Sequence, residues 1–168
     1  MTEVVTHYLY TDGCGIGGPV VRRIAGWAFV LTERDTTKLY SVGDRLCSSS
    51  GIVGEWHTAM AGELTAIHEG LRRARQAIDI RVATVVLRTD YLQAGNAVRG
   101  NWKYPGYRTL AAAIRNAAAN LDLTIEILPS RGKHGHWPHS LCHSLASKAA
   151  KAGLAELSKG VTAWSSDL

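Results

Sequence analysis

The chain has 168 residues, the size of one ordinary domain, and a chain this long buries roughly 68–70% of the surface its unfolded form exposes. Its apolar fraction of 46% and charged fraction of 20% are those of a globular protein, and no run approaches the ~18 apolar residues that a membrane span needs. The net charge of +5 is one-sided: residues 1–95 carry ten Lys/Arg and ten Asp/Glu, whereas residues 96–168 carry nine and four, a bias that fits a polyanionic partner such as nucleic acid. Cys14, Cys47 and Cys142 are too few and too scattered for a disulfide framework, and Met1-Thr2-Glu3 has no basic start. A reducing, cytoplasmic setting and a monomer are the expectations.

Val4 to Tyr10 is β-branched and aromatic and predicts a first strand, which Asp12 ends before a glycine-rich turn, Gly13-Cys14-Gly15-Ile16-Gly17-Gly18-Pro19. Ala25–Thr32 predicts a second strand and Lys38–Val42 a third, followed by a long polar connection over 43–58. Met60, Leu64, Ile67, Leu71 and Ile78 share one face at 3.6-residue spacing and predict a long helix. Val82–Leu87 suits a buried strand. Short helices are expected over Tyr91–Val98 and Tyr107–Asn120, and a strand over Leu123–Leu128 stopped by Pro129. Leu141, Cys142, Leu145 and Ala149 mark a last helix, ended by Gly153, with 154–168 as a partly mobile tail. The order β-β-β-α-β-α-α-β-α implies one α/β domain over residues 1–153, a five-stranded mixed sheet flanked by helices.

Three carboxylates stand at meaningful points. Asp12 precedes glycines that let another backbone come close, and Asp90 follows the buried strand. Glu63 lies about 70° from the centre of the long helix's apolar stripe, on the border of the core. If the two strands are neighbours and the helix packs over them, the three acids converge, and converging carboxylates call for hard divalent cations.

These pieces resemble the type 1 ribonuclease H family. The resemblance is carried by Tyr10-Thr11-Asp12-Gly13, Gly26-Trp27-Ala28-Phe29-Val30, Gly62-Glu63-Leu64-Thr65-Ala66-Ile67, Leu87-Arg88-Thr89-Asp90, and the C-terminal Gly135-His136 and Cys142-His143-Ser144-Leu145-Ala146, over about residues 5–152. It implies a ribonuclease H-like fold and metal-dependent cutting of the RNA strand of an RNA–DNA hybrid. Asp12, Glu63 and Asp90 would be three of the four acids that hold two Mg²⁺ or Mn²⁺ ions. The fourth position departs from the pattern, because His143 stands where the family carries an acid. His143 lies about 140° from the centre of its helix's apolar face, so a core role is not expected. Imidazole binds divalent metals without adding negative charge, which points to weaker Mg²⁺ binding and a preference for Mn²⁺.

The family also implies a mobile histidine ahead of that helix. Ungapped counting puts Lys133 there and a one-residue shortening puts His134 there; His134 is preferred, because imidazole titrates near neutral pH. His134, His136, His139, Cys142 and His143 could alternatively form a zinc cluster, although no Cys-x-x-Cys knuckle is present. For substrate contacts, Gly13, Cys14 and Gly15 are candidates through backbone groups near a 2′-hydroxyl. Arg99, Trp102, Lys103 and Arg108 lie in a segment that interleaves cations with rings, suited to phosphates and sugars unless Trp102 and Tyr107 tuck against the core. Arg72, Arg73 and Arg75 offer an alternative basic face. The rival functions are a junction resolvase of the same fold and a catalytically silent nucleic-acid-binding module.

Overall fold

A computed structural model describes residues 4–17, 23–33, 35, 45–55, 57–79, 81, 83–129 and 136–164. Five strands form one sheet in the order β3-β2-β1-β4-β5. They are β1 (Val5–Ile16), β2 (Ile24–Thr32), β3 (Arg45–Glu55), β4 (Ala83–Thr89) and β5 (Asp122–Ile127). β1 pairs antiparallel with β2 and parallel with β4; β2–β3 is antiparallel and β4–β5 parallel. The helices are α1 (Ala59–Ala77), α2 (Ala94–Arg99), α3 (Arg108–Ala118) and α4 (Trp137–Trp164). This is the expected element order and the expected mixed sheet.

The two sheet faces are covered differently. Leu9, Phe29, Leu31, Val85 and Leu87 pack against Leu64, Ile67 and Leu71 of α1 and Ile114 of α3. On the opposite face, Tyr10, Ala28 and Val30 pack against Cys142 and Ala146 of α4. The alternation along β1 thus sends odd positions to α1 and even positions, Asp12 among them, toward α4.

Three expectations are corrected. Asp12 does not end β1, and Gly13 to Ile16 are not a turn: the strand runs on to Ile16, in register with Trp27 down to Ile24. The glycines serve close packing, since a Cβ at Gly13 would fall on backbone atoms of Gly62 and Glu63, and one at Gly15 would lie 2.7 Å from the Ala59 amide. Lys38–Val42, expected as a third strand, lies outside the described residues, and the strand that pairs with β2 lies in the segment read as a polar connection. Ser48, Ser49 and Ser50 pair with Val30, Phe29 and Ala28, so ladder bonds to a strong central strand override a poor local β-propensity. The last helix does not stop at Gly153. α4 continues to Trp164, with Gly153 buried where a Cβ would stand 3.1 Å from both Ile24 and Ile52. Gly153 is there because the sheet comes close, and a glycine inside a packed helix costs only about 1 kcal/mol of propensity.

Candidate active site

The site lies where the sheet changes direction. From β1 the chain builds outward through β2 and β3, then returns to add β4 and β5 on the other side. Ligands in open α/β sheets bind beyond the carboxyl ends of the strands at such a switch. The β1–β4 ladder closes with Tyr10 opposite Arg88. Asp12 and Asp90 each lie two residues further on, so the register that pairs Tyr10 with Arg88 also brings these two carboxylates side by side.

Glu63 arrives from α1 by backbone contact. Gly62 rests against Gly26 and Cys14 of the sheet, and Gly26 in turn lies under Ala146 of α4. The sheet is thus pinched between the backbones of α1 and α4 within two residues of Asp12. The pinch delivers Glu63, next to Gly62, and His143, one turn before Ala146. Gly13 N–H donates to Asp12 Oδ1 at 2.9 Å and also serves the Glu63 carboxylate.

Electrostatically the cluster is under stress. Asp12 is 3% exposed, and burial raises its pKa; Asp90 raises it further, while His139 and His143 pull it down. Burial holds Glu63 well above the ordinary carboxylate range, with repulsion from Asp12 and Asp90 adding to it. Glu63 Oε2 is buried with no hydrogen-bond partner among the described residues. A cation between the carboxylates would satisfy that oxygen and offset the repulsion. Three hard carboxylates with imidazoles beside them suit Mg²⁺ or Mn²⁺, so the residues present fit a divalent ion.

His143 Nδ1 lies 2.8 Å from Asp12 Oδ2, with two-thirds of its side chain exposed. The wheel position that excluded a core role thus points it at the first of the three acids. His139, which the sequence offers only as a member of a zinc cluster, is buried on the first turn of α4 with Nε2 3.6 Å from Asp90 Oδ1. Ligand atoms of Asp12, Asp90 and His139 lie within 4.8 Å of one another. The signal was its i, i+4 spacing to His143; what was missing was the register of α4 on the sheet. The Cys/His cluster does not form among the described residues. Cys142 Sγ donates to the Tyr10 carbonyl at 3.4 Å, inside the core, and the His136 ring lies tilted against that of Tyr10 with centroids 5.7 Å apart. His134 and Lys133 lie outside the described residues.

The proposed substrate contacts divide. Gly13 is committed to α1, whereas Gly15 is exposed and lines a groove of about 180 Å³ with Arg23, His57 and Thr58. The Cys14 side chain is half-buried against the α4 face and hydrogen-bonds Ser147; burial raises its thiol pKa. All three cysteines are free. Arg99, Lys103 and Arg108 are exposed, while Trp102 and Tyr107 tuck against the core, the alternative weighed from the sequence. Trp102 Nε1 donates to the Gly106 carbonyl at 2.8 Å, and its ring sits 5.0 Å from that of Tyr104. Tyr91, whose hydroxyl burial pushes up to about 12, feels both Tyr104 and Glu63. Arg115, unremarked in the sequence, shares a groove of about 240 Å³ with Trp102 and Arg108. The alternative face is already engaged: Arg72 pairs with Glu69, and Arg75 donates to the Asn116, Ala117 and Ala119 carbonyls at the end of α3.

No protein-family model matches the sequence, and no curated protein is similar enough to it to count as a relative. Solved structures do match. The N-terminal RNase H domain of a Mycobacterium tuberculosis protein superposes with a TM-score of 0.71 at 19% identity, over 91% of this chain and 99% of that one. RNase H1 from the archaeon Halobacterium salinarum gives 0.63 at 20% identity, over 88% and 98%. LC11-RNase H1, solved in complex with an RNA/DNA hybrid, gives 0.64 at 21% identity, over 88% and 99%. Sheet order, helix placement and these superpositions together establish that the chain has the ribonuclease H fold.

Proposed function

We propose that this chain is a metal-dependent endonuclease that hydrolyses the RNA strand of RNA–DNA hybrids. The observation that carries this reading is the register-matched pair Asp12 and Asp90, joined by Glu63, at the switch point of a ribonuclease H fold. Asp12, Glu63 and Asp90 would hold two divalent ions, Mg²⁺ or Mn²⁺, against the scissile phosphate. Bound there, the ions supply an activated water and stabilise the departing 3′ oxygen.

The chain's own residues do the rest. The buried, unpartnered Glu63 oxygen supplies negative charge at a fixed point, because Gly13 and Gly62 lock α1 to β1. His143 steadies the Asp12 carboxylate through their 2.8 Å contact and stands at the fourth ligand position. His134, in the segment that precedes α4 in the sequence, takes the proton-handling role. The exposed backbone at Gly15 and the start of α1 read the 2′-hydroxyl, with Gly13 and Cys14 fixing that stretch of β1. Arg99, Lys103 and Arg108 neutralise phosphates, and Trp102 braces their loop.

The test is cleavage by the purified chain of three matched substrates: an RNA–DNA hybrid, an RNA duplex and a DNA four-way junction, each with Mg²⁺ or Mn²⁺. The expected result is hybrid cleavage alone, lost in Asp12→Asn. Junction cleavage would reassign the protein as a resolvase. Tight hybrid binding without cutting under either metal would make it a silent binding module.

A further inference from the structure

We propose that His139 is an inner nitrogen ligand to a divalent ion held between Asp12 and Asp90, and that it makes this position selective for a transition ion over Mg²⁺. The inference rests on the reading that a divalent ion occupies the carboxylate cluster; it does not require that the protein cleave hybrids.

Three observations carry it. His139 is 4% exposed, on the first turn of α4, with its ring turned toward the carboxylates. Its Nε2 stands 3.6 Å from Asp90 Oδ1, longer than a hydrogen bond, yet ligand atoms of His139, Asp90 and Asp12 lie within 4.8 Å of one another. Two ligand atoms on opposite sides of one ion, each at roughly 2.1–2.2 Å, lie about 4.3 Å apart, so small side-chain adjustments bring all three onto a single ion. Independently, Glu63 Oε2 is buried beside Asp12 with no hydrogen-bond partner among the described residues, an oxygen positioned for a cation.

The donor chemistry sets the selectivity. Mg²⁺ prefers an all-oxygen shell and near-ideal octahedral geometry, whereas transition ions accept an imidazole nitrogen, Mn²⁺ least strongly among them and its later neighbours more so. His143 is placed differently. It is two-thirds exposed and its Nδ1 is taken up by Asp12 Oδ2, which suits holding a ligand in place. Of the two histidines on this face of α4, the buried one is the nitrogen donor.

The deciding measurement is pulsed electron paramagnetic resonance on the intact chain loaded with Mn²⁺ alone, with no nucleic acid. Imidazole ligation gives a ¹⁴N coupling, which ¹⁵N-histidine labelling should convert to the ¹⁵N pattern. The coupling should persist in the double variant His134→Ala/His143→Ala and vanish in His139→Gln. Calorimetric titration should show His139→Gln weakening Mn²⁺ binding by about ten- to a hundred-fold, since even residues behind a ligand carry that much, with a smaller effect on Mg²⁺. Mn²⁺ binding without any histidine coupling in the unmodified protein overturns the role of His139 and leaves the nuclease reading standing. Loss of the coupling in the double variant overturns it too, and that result does not depend on His139→Gln folding. Failure of the chain to bind Mn²⁺ at all overturns both this inference and the metal site beneath it.

Discussion

At the scale of single residues, the cluster trades stability for function. Asp12, Glu63 and Asp90 have no use for one another as anions without a cation, so Asp12→Asn, Glu63→Gln and Asp90→Asn should each nearly abolish hybrid cleavage while circular dichroism stays native-like. Near-wild-type activity in any one of them, at saturating metal, would remove that residue from the site. The raised pKa values of Asp12 and Glu63 carry a second consequence. Between the ordinary carboxylate range and those raised values, the native chain keeps protons that the unfolded chain has released. The metal-free protein is therefore most stable at acid pH on this account and loses stability as pH rises through the raised values. Glu63→Gln keeps the shape and drops the charge. In a chelator its melting temperature at neutral pH should exceed wild type by a few degrees, with a flatter pH profile, whereas added metal should stabilise wild type more than the variant. Parallel pH profiles for the two proteins would show that the carboxyl is not held under stress. For His143, the contact with Asp12 and its exposed position make an acid sterically tolerable. His143→Asp should raise the Mg²⁺-supported rate and narrow the preference for Mn²⁺, while His143→Ala should lose less than Asp12→Asn. Metal titrations of cleavage for the three proteins check this; identical Mg²⁺ and Mn²⁺ profiles for wild type and His143→Asp would show that a charge at this position does not reach the ions.

At the scale of elements, the site is made by glycines. α1 and α4 approach the sheet at backbone distance through Gly13, Gly62 and Gly26, and no side chain but hydrogen fits between them. Gly26→Ala places a methyl on the Ala146 carbonyl, and Gly13→Ala places one on the Gly62–Glu63 peptide, in both cases backbone that cannot swing aside. Each should cost about 1–3 kcal/mol as an overpacking change and should lower the cleavage rate beyond its effect on stability, because the helix carrying Glu63 or His143 must move. Gly106→Ala, where a Cβ meets nothing within 4 Å, is the control expected to be silent in both denaturant melts and cleavage assays. The sequence made the partners of this arrangement readable but not its geometry. The helical period of Leu64, Ile67 and Leu71 and the buried run Val85–Leu87 were visible because apolar spacing follows the fold directly. Gly13 and Gly15 announced close approach, but whether they did so in a turn or in a strand depended on pairing with β2, which local residues do not encode. The tri-serine strand β3 was hidden for the same reason, since its pairing comes from its neighbour. That Asp12, Glu63 and Asp90 converge was readable from their element order. His139 escaped because its position relative to Asp90 is set by how α4 lies on Tyr10, Ala28 and Val30, a tertiary register with no trace in the spacing.

At the scale of the whole molecule, the charge imbalance of the C-terminal half acquires a place. α3 and the loop before it present Arg99, Lys103, Arg108 and Arg115 to solvent, while Arg72 and Arg75 of α1 are tied to Glu69 and to the end of α3. Trp102 and Tyr107 anchor this basic group on the core that α1 covers, so a hybrid bound at Asp12 and Asp90 and running along α3 would meet these cations. Each phosphate they neutralise releases condensed counterions, and log affinity should fall linearly with log salt, by about 0.7–0.9 per phosphate. Charge reversal at Arg99, Lys103 and Arg108 should then weaken binding most at low salt and flatten the slope by roughly two to three units. Arg115→Glu added to that set should flatten it further, because Arg115 and Arg108 line one groove. Charge reversal at Arg72 and Arg73 should leave the slope nearly unchanged while removing an exposed pair with Glu69, worth at most about 1 kcal/mol. Binding isotherms on a catalytically dead Asp12→Asn background, from 50 to about 300 mM salt, separate the two faces. An unchanged slope in the triple variant with a flattened one in the α1 variant would move the nucleic acid off α3 and onto α1.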